Sequence, residues 1–538
     1  MNQRSLHRKR LLLFLCLFSV QLSAQITRQP YLQVVTPNSI VVRWDTDSSR
    51  VGTVSYGTSV SSLTGTKSDT GGTTKHEITI TGLSPKQKYY YSVTSPSGGK
   101  SDQYFVTAPV AGTRQFTRLW VISDFGQSFS ASDDARRVVT VNVWKGFNNN
   151  SLAADLVLSV GDQTESDWDS QLQANYFNQL QDVLKVTPLY TTIGNHDAGD
   201  HAVIYKSVFT LPANAEAGGV PSGVEDYYSF NYANIHVVVL CADGFDITPE
   251  TAWLKDDLAA NKSDWLIALM HHPMHSAGDH KSDSDPFSTT ERANWLPLLE
   301  DAGVDLILAG HNHVYERSYM LDNLTGKSTS LTDANKIDTA LGRPEFDHAY
   351  RKVLGQPHKG TIFINCESGG VSNNADDLRT PFKFTPVVVK GAGCEGSLVI
   401  DVNGSTQMDV KFLCNALDSV GSHIWDHFTI MKTANVSSVE DFQNLLPNEF
   451  SISNYPNPFN PSTRISYGVS QTGTVTITVY DVLGRMVSTL LDGVVGKGNH
   501  TIDWSAKDAQ GNDLASGIYV ARIQSGQFTK TTKMILMR

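Results

Sequence analysis

The sequence predicts three domains in series: an N-terminal β-sandwich, a central layered α/β domain and a small C-terminal β-sandwich. Three observations carry this. Residues 26–110 alternate apolar and polar side chains in short runs, the period-two pattern of strands buried on one face. Residues 115–432 change to continuous apolar runs separated by helix-like segments, as expected for strands buried on both faces of a layered α/β domain. Residues 451–538 return to alternating strands, after a polar, aperiodic stretch at 433–450 that reads as a linker. A chain of 538 residues is also too long for one core.

The first segment stands outside the fold. Residues 1–24 have a basic start, an apolar stretch from Leu11 to Val20 and a small-residue end at Ser23-Ala24, which predicts a secretory signal peptide cleaved after Ala24. Later residues contain no uninterrupted apolar run of about 18, so no membrane span is expected in the mature protein. The net charge of −11, with no long basic run, argues against nucleic acid or an anionic membrane as main partner. Of five cysteines Cys16 leaves with the signal; Cys241, Cys366, Cys394 and Cys414 remain in an exported chain, where a disulfide is permitted and three pairings are open.

Within 26–110, the runs SIVVRWDT, VGTVSYG and HEITITGL are strands, followed by LSPKQKYYYSVTS. Leu83, Pro85 and Tyr89 resemble the tyrosine-corner region of a fibronectin type III domain, in which a Tyr hydroxyl ties a strand to the loop before it. Such a domain is expected to be a spacer without chemistry.

In 115–432 the apolar runs are LWVIS, LVLSV, LYTTI, HVVVLC, WLIALM, LILA and TIFIN. Leu172, Phe177, Leu180 and Leu184 mark one face of a helix, and Trp295, Leu298 and Leu299 a face of another. The residues that follow five of the strands are the informative ones. They are Asp124, then Gly161-Asp162, then Gly194-Asn195-His196-Asp197, then His271-His272, then Gly310-His311-Asn312-His313. In open α/β sheets ligands bind beyond the carboxyl ends of the strands. Five ends that deliver Asp, Asn and His form a set of oxygen and imidazole donors suited to Mn, Fe or Zn. A single Asp after a strand is most often a turn residue or a helix cap. Five independent accidents at one position of the repeat are a poor account of the pattern.

The order Asp-x-Gly, Gly-Asp, Gly-Asn-His-Asp, His after a strand, Gly-His-x-His resembles the calcineurin-like metallophosphoesterases, and GHNHVYERS, ALMHHP and HKGTIFINCESGG are most similar to the purple acid phosphatases. The resemblance implies an αββα domain, a β-sandwich flanked by helices. It also implies two metal ions (Fe, Mn or Zn), one held by Asp124, Asp162 and His313 and the other by Asp162, Asn195, His271 and His311. It implies hydrolysis of small phosphate monoesters by a metal-bound hydroxide, with His196 as general acid and Asp197 orienting it. Phosphodiesterase or nucleotide pyrophosphatase activity on the same core, and an inactive surface adhesin, are the alternatives. His275 and His280 are candidates for the substrate-binding rim, and the insertion at 321–358 for part of the pocket wall. One departure stands out: the family's Gly-Asp-x-x-Tyr reads Gly161-Asp162-Gln163-Thr164-Glu165 here, so either Glu165 or water takes the place of the Tyr.

Residues 451–538, with YPNPFNPSTRISY, VYDVLGRMV, SGIYVARI and the basic end KMILMR, resemble the type A sorting domain of the type IX secretion system. This implies a secreted or cell-surface protein that passes the periplasm and outer membrane of a Gram-negative bacterium. Its partner would be that exporter, and the sorting domain is normally removed.

Overall fold

The computed structural model describes residues 25–433 and 451–537, apart from 94–99, 127–130, 167, 244–245, 277, 279, 345–346, 367–386, 390–394, 417–421, 456, 458, 470, 497 and 527. The signal segment, the linker and the Gly369-Gly370 turn lie outside the described residues.

The N-terminal domain packs a sheet of three strands (Ile26–Gln33, Ser39–Arg50, Thr73–Thr81) on one of four (Thr53–Gly57, Gly65–Ser68, Lys88–Ser92, Tyr104–Val106). In the strand Thr73–Thr81, His76, Ile78 and Ile80 turn inward and their neighbours outward. The tyrosine corner is present: the Tyr89 hydroxyl accepts from the Ser84 amide at 3.0 Å. This domain is tied to the next. The Tyr31 hydroxyl donates to the Val208 carbonyl at 2.5 Å, and Arg28, 2% exposed, reaches Asp169 and Gln173.

The central domain has two seven-stranded mixed sheets packed face to face with helices on their outer sides. In the first sheet Phe116–Ile122, Leu156–Ser159 and Leu189–Thr191 run parallel. In the second Ile235–Val239, Trp265–Leu269, Leu306–Ala309 and Ile362–Cys366 do. The strand Trp265–Leu269 shows why such runs lack alternation. Trp265, Ile267 and Leu269 enter the core between the sheets, whereas Leu266 and Ala268 meet Leu254, Trp295 and Leu299 of the helical layer. Both faces are buried, so both must be apolar.

Of the two helical expectations, the buried face of Leu172, Phe177, Leu180 and Leu184 is as expected and the other needs correction. The segment that carries Leu172 and Phe177 is helical but contains a π-helical turn at Leu172–Phe177 between α-turns, which brings residues five apart onto one face. The face marked by Trp295 is split into helices Pro286–Asn294 and Leu296–Asp301, because the Pro297 ring tolerates only the first turn of a helix. The insertion supplies the strand Tyr350–Val353 at the first sheet's edge and the strand Lys336–Asp338, which pairs with Met320–Leu321. Cys241 and Cys366 are free and buried, and Cys414 is disulfide-bonded.

The C-terminal domain pairs a sheet of three strands (Ser451–Tyr455, Thr463–Val469, Gly498–Trp504) with one of four (Gly473–Asp481, Met486–Val495, Gly517–Ser525, Phe528–Leu536). Phe459, Ile465, Val479, Trp504 and Met534 fill its core.

Candidate metal centre

The carboxyl ends of parallel strands from the two sheets meet at one place. The first sheet brings Asp124, Asp162 and Asn195 and the second brings His271, His311 and His313. Three of these stand in the left-handed backbone region: Asp124 (φ 48°), Asp162 (φ 54°) and His311 (φ 68°). Few side chains other than Asn, Asp and His adopt it. Two glycines make the approach possible. A Cβ on Gly161 (φ 101°) would lie 2.2 Å from His271 Nδ1, and one on Gly194 would lie 2.1 Å from Asp162 Oδ1.

The donor atoms converge. His271 Nε2 is 3.0 Å from Asn195 Oδ1 and 3.3 Å from Asp162 Oδ2. His311 Nδ1 is 2.8 Å from the same Asn195 oxygen, and His313 Nε2 is 3.3 Å from Asp124 Oδ1. Asp124, Asp162 and His271 are buried, with one donor atom each inside a 4.8 Å group. The outer nitrogen of His271, Nδ1, faces the Val160 carbonyl at 3.0 Å, which fixes its tautomer and aims Nε2 into the site.

The electrostatics fit a cation site. Burial would raise the Asp162 carboxyl, but His271 beside it pulls it down to about 2. Burial opposes a charge on His271, yet Asp162 and Asp124 drive its pKa well up. Burial and the surrounding rings of His271, His272, His280 and His313 press His311 far down, so it is a neutral imidazole, the form that ligates. Glu165 faces the same place. Burial raises its carboxyl, with His196, Asp162 and His313 as its charged neighbours. Its Oε2 is buried with no hydrogen-bond partner among the described residues. An orphaned carboxylate oxygen beside Asp162 and His313 is a donor for a cation, so the residues present fit two metal ions.

His196 is half-buried. Its amide donates to Asp162 Oδ1 at 3.0 Å, and its Nδ1 is 2.7 Å from the Glu165 carbonyl. Asp197 does not orient this ring. Its carboxylate accepts the backbone N–H groups of Gln163 (3.2 Å), Thr164 (3.1 Å) and Gly194 (3.0 Å), so it braces the two loops that carry Asp162 and Asn195. His280 stands exposed over His311, ring centroids 3.9 Å apart. His275 is not on the rim. It is 4% exposed, its Nε2 faces the Leu324 carbonyl at 2.9 Å, and burial with nearby Arg292 pushes it down to about 3. The insertion supports this loop from behind, through Leu324 and through the Ser328 amide, which donates to Asp283 at 2.7 Å.

The strand-end pattern extends to a residue the sequence reading did not single out. Asp243 follows the strand Ile235–Val239, and its Oδ1 lies 2.7 Å from His272 Nε2. The Tyr315-Glu316-Arg317 part of the GHNHVYERS motif proves to be structural. Glu316 accepts from Ser276, and Tyr315 and Arg317 both bind Asp426.

Residues 117–315 match the calcineurin-like phosphoesterase family, 27–108 the purple acid phosphatase N-terminal domain, and 453–537 the secretion system C-terminal sorting domain. Purple acid phosphatase 15 of Arabidopsis thaliana is 30% identical over 285 residues, which cover 46% of this chain and 50% of the relative. A purple acid phosphatase of Glycine max is 28% identical over 356 residues, covering 56% and 71%. A phosphoenolpyruvate phosphatase of Allium cepa is 27% identical over 281 residues, covering 47% and 53%. The chain thus spans about half the length of the first and third of these relatives. The purple acid phosphatase PPD1 of yellow lupin (Lupinus luteus) superposes with a TM-score of 0.57 at 16% identity, covering 75% of this chain and 74% of that one. PhoD gives 0.52 at 12%, covering 75% and 90%. At these identities the structures speak for the fold alone. In domain composition, then, the chain resembles the purple acid phosphatases: a calcineurin-like phosphoesterase region follows a purple acid phosphatase N-terminal domain, and a secretion sorting domain ends the chain.

Proposed function

We propose that the protein hydrolyses phosphate monoesters outside the cell, with one metal ion on Asp124, Asp162 and His313, a second on Asp162, Asn195, His271 and His311, and Asp162 shared. The observation that carries this is the convergence of the six donors from two sheets beside a half-exposed histidine. When bound, the two ions supply Lewis acidity toward the phosphate and an activated water. The protein's own groups do the rest. Asp197 holds the two loops in register. Contact with the Glu165 carbonyl through Nδ1 leaves His196 Nε2 as the atom that can give a proton to the leaving alkoxide. His280, exposed above His311, is placed to meet the phosphate oxygens. The sorting domain implies secretion or display at the surface of a Gram-negative bacterium. We place the enzyme outside the outer membrane, with that domain removed on export.

The test is a panel of mono- and diesters with added Mn, Zn, Fe or Mg. Monoesters are expected to turn over faster, and the reverse order would make the protein a diesterase. His196→Ala is expected to lower kcat by about 10²–10⁴-fold on alkyl monoesters. The loss should shrink with an aryl ester whose leaving group needs no proton. An equal loss on both would remove His196 from the acid role.

Glu165 predicts a colour. A carboxylate has no low-energy charge transfer to ferric iron, whereas a phenolate has. The iron-loaded wild type is expected to be colourless and Glu165→Tyr to gain a visible band. Tyr190, the near tyrosine on a site-bearing strand, donates its hydroxyl to the Val35 carbonyl at 3.3 Å. A strong visible band in the iron-loaded wild type would show that a phenolate reaches the metals after all.

A further inference from the structure

Behind the His271 ligand turn lies a second group of donors that the hydrolytic mechanism does not use. His272 is 2% exposed, and its ring lies 4.2 Å from that of His311, centroid to centroid. Its Nε2 stands 2.7 Å from Asp243 Oδ1. A carboxylate accepts only, so this nitrogen carries the proton and, in the neutral ring, Nδ1 carries the lone pair. That lone pair is buried without a hydrogen-bond partner among the described residues. It faces Asp285 Oδ1 at 3.7 Å, an oxygen that also accepts the Ser288 amide at 2.7 Å as the cap of the helix Pro286–Asn294.

The two atoms stand beyond hydrogen-bond distance. Two ligand atoms about 2.0–2.2 Å from one tetrahedral ion stand roughly 3.5 Å apart. A lone pair opposed to a carboxylate oxygen is repulsive unless positive charge stands between them. The surroundings add to the need. Asp243 Oδ2, Glu250 Oε2 and Glu291 Oε2 are buried without hydrogen-bond partners among the described residues. Burial and the charges of Asp243, Asp285 and Glu250 raise Glu291 well above the usual carboxylate range. The donor atoms of His272, Asp285 and His311 all lie within 4.8 Å of one another. His311 turns Nδ1 toward Asn195, which leaves its Nε2 for this side.

We propose that His272 Nδ1 and the Asp285 carboxylate hold an accessory divalent cation against the outer edge of His311, with water in its remaining positions and Asp243 orienting the histidine from behind. One imidazole, one carboxylate and water suit Mn²⁺ or Zn²⁺. Such an ion would fix the His271-His272 turn and the loop from His272 to Asp285, which carries His280, so it acts on the geometry of the main centre without touching substrate. The pocket is built from residues outside the dinuclear set apart from the neighbouring edge of His311.

The experiment is metal analysis of the full-length protein after equilibration with Mn²⁺ or Zn²⁺ and removal of free ion, with anomalous scattering from crystals to locate each ion. Wild type is expected to bind three ions per chain. His272→Gln and Asp285→Asn are expected to bind two, and Asp162→Ala, which dismantles the dinuclear centre, to keep one, seen between His272 and Asp285. The anomalous map of the wild type stands even if one variant fails to fold. Two ions in wild type with no anomalous peak at His272, or unchanged metal content in both His272→Gln and Asp285→Asn, would overturn the accessory site while leaving the dinuclear reading intact. Loss of the two ions in Asp162→Ala together with retention of the third separates the two readings in the other direction.

Discussion

Asp162→Ala is expected to lose both ions of the dinuclear centre at once, and hydrolysis with them. The residue is the only one assigned to both ions, and its carboxylate lies within reach of His271 while holding the His196 amide. Removing both cations removes several kcal/mol of charge stabilisation in the transition state, so turnover should fall by about 10³-fold or more. Asp162→Asn keeps the shape and the hydrogen bond but gives up the bridging charge, and should lose affinity for the ions in a protein that still folds. Metal content read by mass spectrometry, with circular dichroism as the fold control, decides it. Undiminished activity in a chelator-stripped wild type would end the dinuclear reading altogether.

The second large effect is on stability. Asp426 and Arg317 are both fully buried, with Nε–Oδ2 at 2.6 Å and Nη2–Oδ1 at 3.1 Å. Arg343 and the Tyr315 hydroxyl share the same carboxylate, and the Arg317 guanidinium lies 4.7 Å over Phe428. Asp426→Ala strands a buried guanidinium, a change that costs about 3–5 kcal/mol. In a domain of this size the melting temperature should drop by about 6–10 °C. Burial pushes the Asp426 carboxyl up, but Arg317 and Arg343 outweigh it and hold it below its usual value. A depressed carboxylate stabilises the fold above its unfolded pKa of about 4 and loses that contribution only as pH falls through the lower folded value. The wild type should therefore keep this tie at mildly acidic pH, and the stability gap to Asp426→Ala should narrow only below about pH 4. A gap that stayed constant down to pH 2, in thermal melts, would mean the pair contributes by packing alone.

Legibility in the sequence followed the range of the interaction. The seven apolar runs could be read because double-sided burial leaves its mark within four to six consecutive residues. The six side chains that converge could be read because a strand end is a local position. The true task of Asp197 could not, since its three partners are backbone amides of loops up to 34 residues away. His275 was misplaced for a similar reason. Arg292 and Leu324 draw its loop inward, and neither leaves a trace near His275 in the sequence. The sequence gives no sign of what Arg317 in the GHNHVYERS motif binds, because its partner lies 109 residues along the chain. The break in the helical layer, by contrast, was written locally in Pro297.

The left-handed backbone at Asp124, Asp162 and His311 limits what the site can become. Threonine or valine at those positions would cost more in backbone than a new side chain could return, and even Glu or Cys would enter a region they seldom occupy. Chemical diversification by single substitution is therefore confined there to Asp, Asn, His and Gly. Asn195, His271, His313 and Glu165 stand on ordinary backbone and carry no such restriction. A library that seeks a new metal preference should hold the first three fixed and vary the other four. Exchanges among natural relatives of this scaffold should concentrate at the same unrestricted places.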